Sequence, residues 1–182
     1  MNSIVLPKGK ISLLERLLNF DIQEEIEFNF NNTIYIFEGN NGSGKTTFVE
    51  KVLIPLLIKN NIPYSYLGQD VNFQKNTIKS SLAILNFRLK KQETIPMYKE
   101  WFEKMSTNKV LIVDEFDKHY SLSDFKQDLK YMAYFIITHA YNKTNIINKN
   151  GYAIKKLIFK EESLNRQKNI LLKVEDYGYC EN

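Results

Sequence analysis

Short apolar runs and helical apolar stripes alternate along the chain. Thr33-Ile34-Tyr35-Ile36-Phe37, Val110-Leu111-Ile112-Val113 and Tyr134-Phe135-Ile136-Ile137 are continuous runs of β-branched, aliphatic and aromatic residues. Runs of that length with no polar face predict strands buried on both sides. Tyr64–Leu67 predicts a further short strand, and residues 153–159 and 170–174 predict two late strands at the sheet edge. Residues 26–30 alternate strictly, as a half-buried strand does, and Asn31-Asn32 then predicts a turn. Together they predict a hairpin into the Thr33–Phe37 strand.

Helical spacing appears between these runs. Phe48, Val49, Val52, Leu53, Leu56 and Leu57 predict a helix to about Lys59, broken by Asn60-Asn61-Ile62-Pro63. Leu13, Leu14, Leu17 and Leu18 recur at i, i+1, i+4, i+5 and predict a short amphipathic helix over residues 11–20. Residues 77–91, 97–105 and 121–131 also read as helices, the first two separated at Pro96. Strands alternating with helices predict an α/β domain with a largely parallel sheet covered on both faces. No repeat, low-complexity segment or linker divides residues 1–182, so one domain is expected. In such a sheet the ligand sits at the carboxyl ends of the strands.

The segment after the first buried strand carries the most specific chemistry. Residues 39–47 read Gly39-Asn40-Asn41-Gly42-Ser43-Gly44-Lys45-Thr46-Thr47, a complete G-x-x-x-x-G-K-[ST] phosphate-binding loop. The glycines allow positive φ and bring bare backbone close to a ligand. Loop N–H groups then point at phosphate oxygens beside a helix N-terminus. Lys45 is expected to reach the β- and γ-phosphates, and the Thr46 hydroxyl to bind Mg²⁺. Strand, glycine loop and helix follow in the order the motif requires, which predicts a P-loop NTPase fold of three α/β/α layers with antiparallel edge strands.

Polar residues follow three other strands. Val110–Val113 leads directly into Asp114-Glu115. Asp114 is expected to hold Mg²⁺, which takes few carboxylates and keeps several waters, and Glu115 to orient an attacking water. Tyr134–Ile137 leads into Thr138-His139, where His139 could donate a hydrogen bond to a γ-phosphate. Tyr64–Leu67 leads into Gly68-Gln69-Asp70, where Gln69 suits contact with a metal-bound water.

Composition narrows the setting. The 182 residues carry 25 Lys and Arg against 21 Asp and Glu, a mild net charge of +4 that permits an anionic partner without demanding nucleic acid. Cys180 is the sole cysteine, so no internal disulfide forms, which fits a reducing cytosol. Residues 1–10 have no apolar core of a signal peptide, and no apolar run is long enough to span a bilayer. A cytoplasmic protein is expected.

The order of P-loop, Gln69, Asp114-Glu115 and His139 resembles the nucleotide-binding domain of ATP-binding cassette (ABC) ATPases over roughly residues 25–140. The resemblance implies a Walker A motif at Gly39–Thr46, a Q-loop glutamine at Gln69 and a Walker B motif ending at Asp114. It also implies a catalytic Glu115 and a switch His139. ATP and Mg²⁺ are the implied ligands. A homodimer or partner subunit completing the site, and a separately encoded membrane permease, are the implied partners. The family's L-S-G-G-Q signature is absent, and residues 71–109 contain no glycine, so the chain resembles a reduced cassette. Ser121-Leu122-Ser123-Asp124 resembles the family's D-loop but lies farther from Glu115. An upstream aromatic stacks on adenine in that family; Phe20, Phe28 and Phe30 are available, the last two more simply as core.

Two other readings stay open. The loop followed by Ile62-Pro63 also resembles thymidylate-kinase-like enzymes, although Glu115 stands where those carry Arg. The chain has only Arg16, Arg88 and Arg166 to clamp a transferring phosphate. Residues 141–173 hold eight basic residues against Glu161 and Glu162, a face that could contact nucleic-acid phosphates or simply form a solvated lysine-rich edge.

Overall fold

The computed structural model describes residues 2–70, 76, 78, 80, 110–114, 131–138, 152–164 and 167–179. Its strands are β1 (Ser3–Leu6), β2 (Gly9–Leu13), β3 (Leu18–Ile22), β4 (Ile26–Asn29), β5 (Thr33–Glu38), β6 (Tyr64–Leu67), β7 (Val110–Val113), β8 (Ala133–Ile137), β9 (Ala153–Leu164) and β10 (Gln167–Tyr179). Helix α1 (Lys45–Phe48) passes through a π turn (Val49–Leu53) into α2 (Ile54–Lys59).

One eight-stranded sheet runs β2-β3-β10-β9-β5-β8-β7-β6. The five strands from β9 to β6 are mutually parallel, so the carboxyl ends of β5, β6, β7 and β8 meet along one edge. The fold is therefore α/β with a mostly parallel central sheet, as the strand–helix alternation predicts. Both faces of the central strands are buried. Tyr35, Phe37, Phe135 and Ile112 point to one side and Ile36, Ile136, Leu111 and Val113 to the other, each almost fully covered. The helices expected over 77–91, 97–105 and 121–131 lie outside the described residues apart from isolated positions.

The P-loop helix has the expected buried stripe of Phe48, Val49, Val52, Leu53 and Leu57. Its π turn precedes Pro55, which has no N–H and whose ring crowds the carbonyl four residues back; widening the helix there relieves both defects. The helix ends where Asn60-Asn61 predicts. Asn61 takes φ +56°, its N–H bonds to Ile58 O at 3.0 Å, and Ile62 N–H bonds to Leu57 O at 2.9 Å. This left-handed cap satisfies carbonyls that the helix leaves open.

Three expectations are corrected. Residues 11–20 form no helix. Ile11 and Leu13 lie on β2, a 3₁₀ turn covers Leu14–Arg16, and β3 begins at Leu18. Leucines at helical spacing are also consistent with two strands joined by a tight turn. What decides between them is the pairing of β3 with β2 and, in parallel, with β10 about 150 residues away. Leu14 and Leu17, which a helix would have buried, are exposed.

The expected hairpin of residues 26–37 does not form either. β4 pairs with β1 in a separate two-stranded sheet, while β5 sits between β8 and β9. The Asn31-Asn32 turn exists, with Asn32 at φ +47°, but it acts as a corner between two layers. The Phe28 ring packs edge-on against Tyr35 at 5.4 Å, and the Tyr35 hydroxyl donates to Asn29 O at 3.2 Å. Finally, β9 and β10 are not edge strands. They form a long antiparallel hairpin in the interior of the sheet, with β9 parallel to β5. Among the described residues the edges are β2 and β6.

Candidate nucleotide-binding site

Gly39–Thr47 leaves the end of β5 and turns into α1. Gly42 and Gly44 take φ +74° and +85°, backbone regions open to glycine at little cost. Ser43 N–H bonds to Asn40 O at 3.0 Å and Phe48 N–H to Gly44 O at 2.7 Å, which closes the loop and starts the helix. The Lys45 ammonium is almost wholly buried. It donates to Gly39 O at 2.7 Å, Asn40 O at 2.9 Å and Ser43 Oγ at 3.3 Å. A buried cation held by neutral oxygens is a strong attractor for anionic oxygens.

The loop lies in an open cleft of about 620 Å³ lined by Asn41, Gly42, Ser43, Gly44, Lys45, Thr46, Thr47, Gln69, Asp114 and Ile137. That volume is of the size ligand pockets have. The sheet thus brings together residues from the ends of β5, β6, β7 and β8. Asp114 is 1 % exposed, and the Thr46 hydroxyl donates to its Oδ2 at 2.6 Å across 68 residues of sequence. Gln69 is exposed on the cleft wall. Asn40 flanks the cleft as an exposed residue of the loop.

Glu115 and His139 lie outside the described residues, as does the D-loop-like segment 121–124. Their immediate predecessors are placed: Asp114 in the cleft and Thr138 buried at the end of β8. Thr138 was not singled out by the sequence; a polar residue directly after an apolar strand was the available signal, and only the sheet order puts that strand between β5 and β7.

Burial pushes the Lys45 ammonium below the ordinary lysine range, while the nearby Asp114 carboxylate acts to raise it. Burial also pushes the Tyr66 phenol up, helped by the charge of Asp114 and then of Glu50. For phosphate binding the sign is simple. The charged form of Lys45 binds, and its proton leaves at a lower pH than that of a free lysine, about 10.4. Affinity for a phosphate ligand is therefore expected to be flat through neutral pH. It should then fall by about tenfold per pH unit, starting below that value. A fluorescence titration of a nucleotide analogue across pH 7–11 reads this directly, and a fall in affinity that begins only above the free-lysine value would show that Lys45 is not the cation involved.

The loop is braced from behind by aromatic residues. Phe20, Phe37, Phe48 and Phe159 pack with centroids 5.3–6.4 Å apart beneath it. Edge-to-face contacts of this kind contribute about 0.5–1.5 kcal/mol each beyond burial. The Phe20 ring lies 3.3 Å from where a Cβ on Gly44 would stand, and Phe159 O lies 2.8 Å from the equivalent point on Gly39. This corrects one expectation: Phe20, Phe28 and Phe30 are at most 1 % exposed, so none of them can stack on a nucleotide base. Phe20 forms part of the floor, and Phe28 and Phe30 belong to the core.

The basic run of residues 141–173 is also changed by pairing. Lys155 faces Asp176, Lys156 faces Glu38, Lys160 faces Glu162, Lys168 faces Glu161 and Lys173 faces Glu175, at 2.6–3.8 Å. Lys143, Lys149 and Arg166 lie outside the described residues. The field at this surface is weaker than the lysine count suggests.

A phosphate-binding loop at the end of a central parallel strand, facing a buried strand-end carboxylate, places the chain among proteins related to P-loop NTPases. The family model of zonular occludens toxin (Zot) matches residues 33–168, from the first residue of β5 into β10, and the chain belongs to that family. No curated protein matches the chain. Among the described residues, no helix is long and apolar enough to cross a membrane.

Proposed function

We propose that the chain binds Mg²⁺·ATP in the cleft and hydrolyses it. The observation that carries the proposal is the contact between Thr46 and the buried Asp114, which unites the hydroxyl of the P-loop with the acid that ends β7. Among the described residues no three His, Cys, Asp or Glu side chains converge on one point. A divalent cation here would thus be held by Thr46, Asp114, water and the phosphates. That set fits Mg²⁺, which avoids all-protein cages. When bound, the ion would neutralise charge on the β- and γ-phosphate oxygens.

The remaining work falls to the chain. Loop amides and Lys45 hold the phosphate chain, and Asp114 keeps the Thr46 hydroxyl aimed at the cleft. Glu115, next in sequence to Asp114, is proposed to orient the attacking water, Gln69 to contact the metal-bound water, and His139 to contact the γ-phosphate. In-line attack then relies on positioning and electrostatics. The motif order resembles ABC ATPases, yet without a signature loop the chain by itself is expected to turn over slowly. A second copy or partner subunit completing the site belongs to the same proposal.

Phosphate release from ATP by the purified chain, with Mg²⁺ and with EDTA, tests this. Wild-type protein should release phosphate only with Mg²⁺. Glu115→Gln should bind ATP and lose about 10²-fold or more in turnover, and Asp114→Asn should lose the turnover that Mg²⁺ supports. Turnover by Glu115→Gln at the wild-type rate would reduce Glu115 to a strand-end residue, and wild-type protein that binds no nucleotide would end the proposal.

A further inference from the structure

Lys168 stands apart from the other paired lysines of the β9–β10 hairpin because of where its ammonium lies. It is the second residue of β10, and its backbone is fixed on both sides. It pairs with Ser163 on β9 and with Leu18 on β3, and its N–H bonds to Leu17 O at 3.0 Å. From that rigid base the side chain reaches the P-loop. Nζ stands 3.9 Å from the point that a Cβ on Gly42 would occupy. Gly42 is exposed and lines the cleft, and it carries no side chain to stand between the ammonium and the ligand space.

The partner of Lys168 is Glu161, with Nζ–Oε2 at 2.6 Å and both side chains about one third exposed. A pair so open to water is screened and contributes little. A polyphosphate of three to four negative charges beside Gly42 is a stronger partner for the ammonium than one screened carboxylate. Lys168 would add a phosphate contact from outside the P-loop motif, beside the one that Lys45 supplies from within it.

We propose that Lys168 is a second phosphate-binding cation of the cleft, brought from the C-terminal hairpin over Gly42 and held by Glu161 until a nucleoside triphosphate competes for it. The inference rests on the nucleotide-binding reading above and adds a residue to it from outside the loop. Glu161 then acts as a positioning residue whose charge opposes binding.

The test uses the full chain, a fluorescent Mg²⁺·ATP analogue and displacement by inorganic tripolyphosphate, with thermal melts to show that each variant is folded. Lys168→Met should raise Kd about 5–10-fold for both ligands, because the contact is to phosphate alone, and Lys168→Arg should bind within about threefold of wild type. Glu161→Gln should bind about two- to fivefold more tightly. Tightening on loss of the carboxylate is what separates this role from a structural ion pair, which would leave Kd unchanged or weaken it in both variants. Wild-type binding with Lys168→Met and Glu161→Gln both within twofold of it would overturn the role of Lys168 while leaving the nucleotide site intact. No wild-type binding of either ligand would overturn both.

Discussion

Lys45→Ala protein is expected to lose nucleotide binding by about 10²-fold or more, the largest effect any single substitution in the cleft should have. Lys45 is 5 % exposed, and its ammonium makes three hydrogen bonds to its own loop. Each charge-assisted bond it would transfer to phosphate is worth about 1.5–3 kcal/mol, and two such bonds account for the loss. The substitution also leaves the Gly39 and Asn40 carbonyls without their donor, so some stability should go as well. Calorimetric titration with Mg²⁺·ATP, beside a melt of the same sample, separates the two effects. A folded Lys45→Ala protein that binds ATP within threefold of wild type would mean that the loop does not hold phosphate. Arginine at this position is not a substitute, because its planar fork cannot place one point charge among three converging oxygens.

Gly39→Ala is expected to destabilise the fold by about 3 kcal/mol, a cost at the upper end of overpacking. The added methyl would stand 2.7 Å from Ser43 Oγ, 2.8 Å from Phe159 O and 3.0 Å from Phe159 Cβ. The serine can rotate away. The Phe159 backbone cannot, because β9 is hydrogen-bonded to β5 on one side and β10 on the other. Relief must come from the loop, which would move the amides of the proposed phosphate site. At about 2–4 °C per kcal/mol for a chain of this size, the melting temperature should fall by roughly 6–12 °C. Gly42→Ala is the control: its nearest neighbour is a flexible lysine end at 3.9 Å, so only the cost of positive φ remains, about 1 kcal/mol. Equal melting temperatures for the two variants would refute the close approach of β9 to Gly39.

Much of the site was legible because its signals are local. The P-loop needs glycines where φ is positive and a lysine and threonine at the start of a helix, and all lie within nine residues. Asp114 could be paired with it in advance, because parallel strands deliver their carboxyl ends to one edge wherever they sit in the sheet. The Thr46–Asp114 bond puts these two residues in contact. The errors came where short-range pattern had to stand in for pairing. Leu13, Leu14, Leu17 and Leu18 satisfy a helical period and also a turn between two strands. Phe20 reads equally well as a base-stacking aromatic and as a core residue until β3 is seen against β10.

The sequence by itself determined that this is an α/β protein with a phosphate-binding loop and a strand-end acid. Alternation of apolar residues, glycine spacing and helix-breaking Asn and Pro act through backbone sterics and nearby burial, which neighbours along the chain suffice to set. Tertiary structure alone decided the strand order, the insertion of β9 beside β5, the aromatic floor under Gly39 and Gly44, and the approach of Lys168 to Gly42. Those depend on contacts between residues distant in the sequence: 24 positions for Phe20 and Gly44, 120 for β5 and β9, 126 for Gly42 and Lys168, and 150 for β3 and β10. Their free energy is realised only when the whole sheet closes, and no local pattern encodes which of several compatible partners a strand will meet.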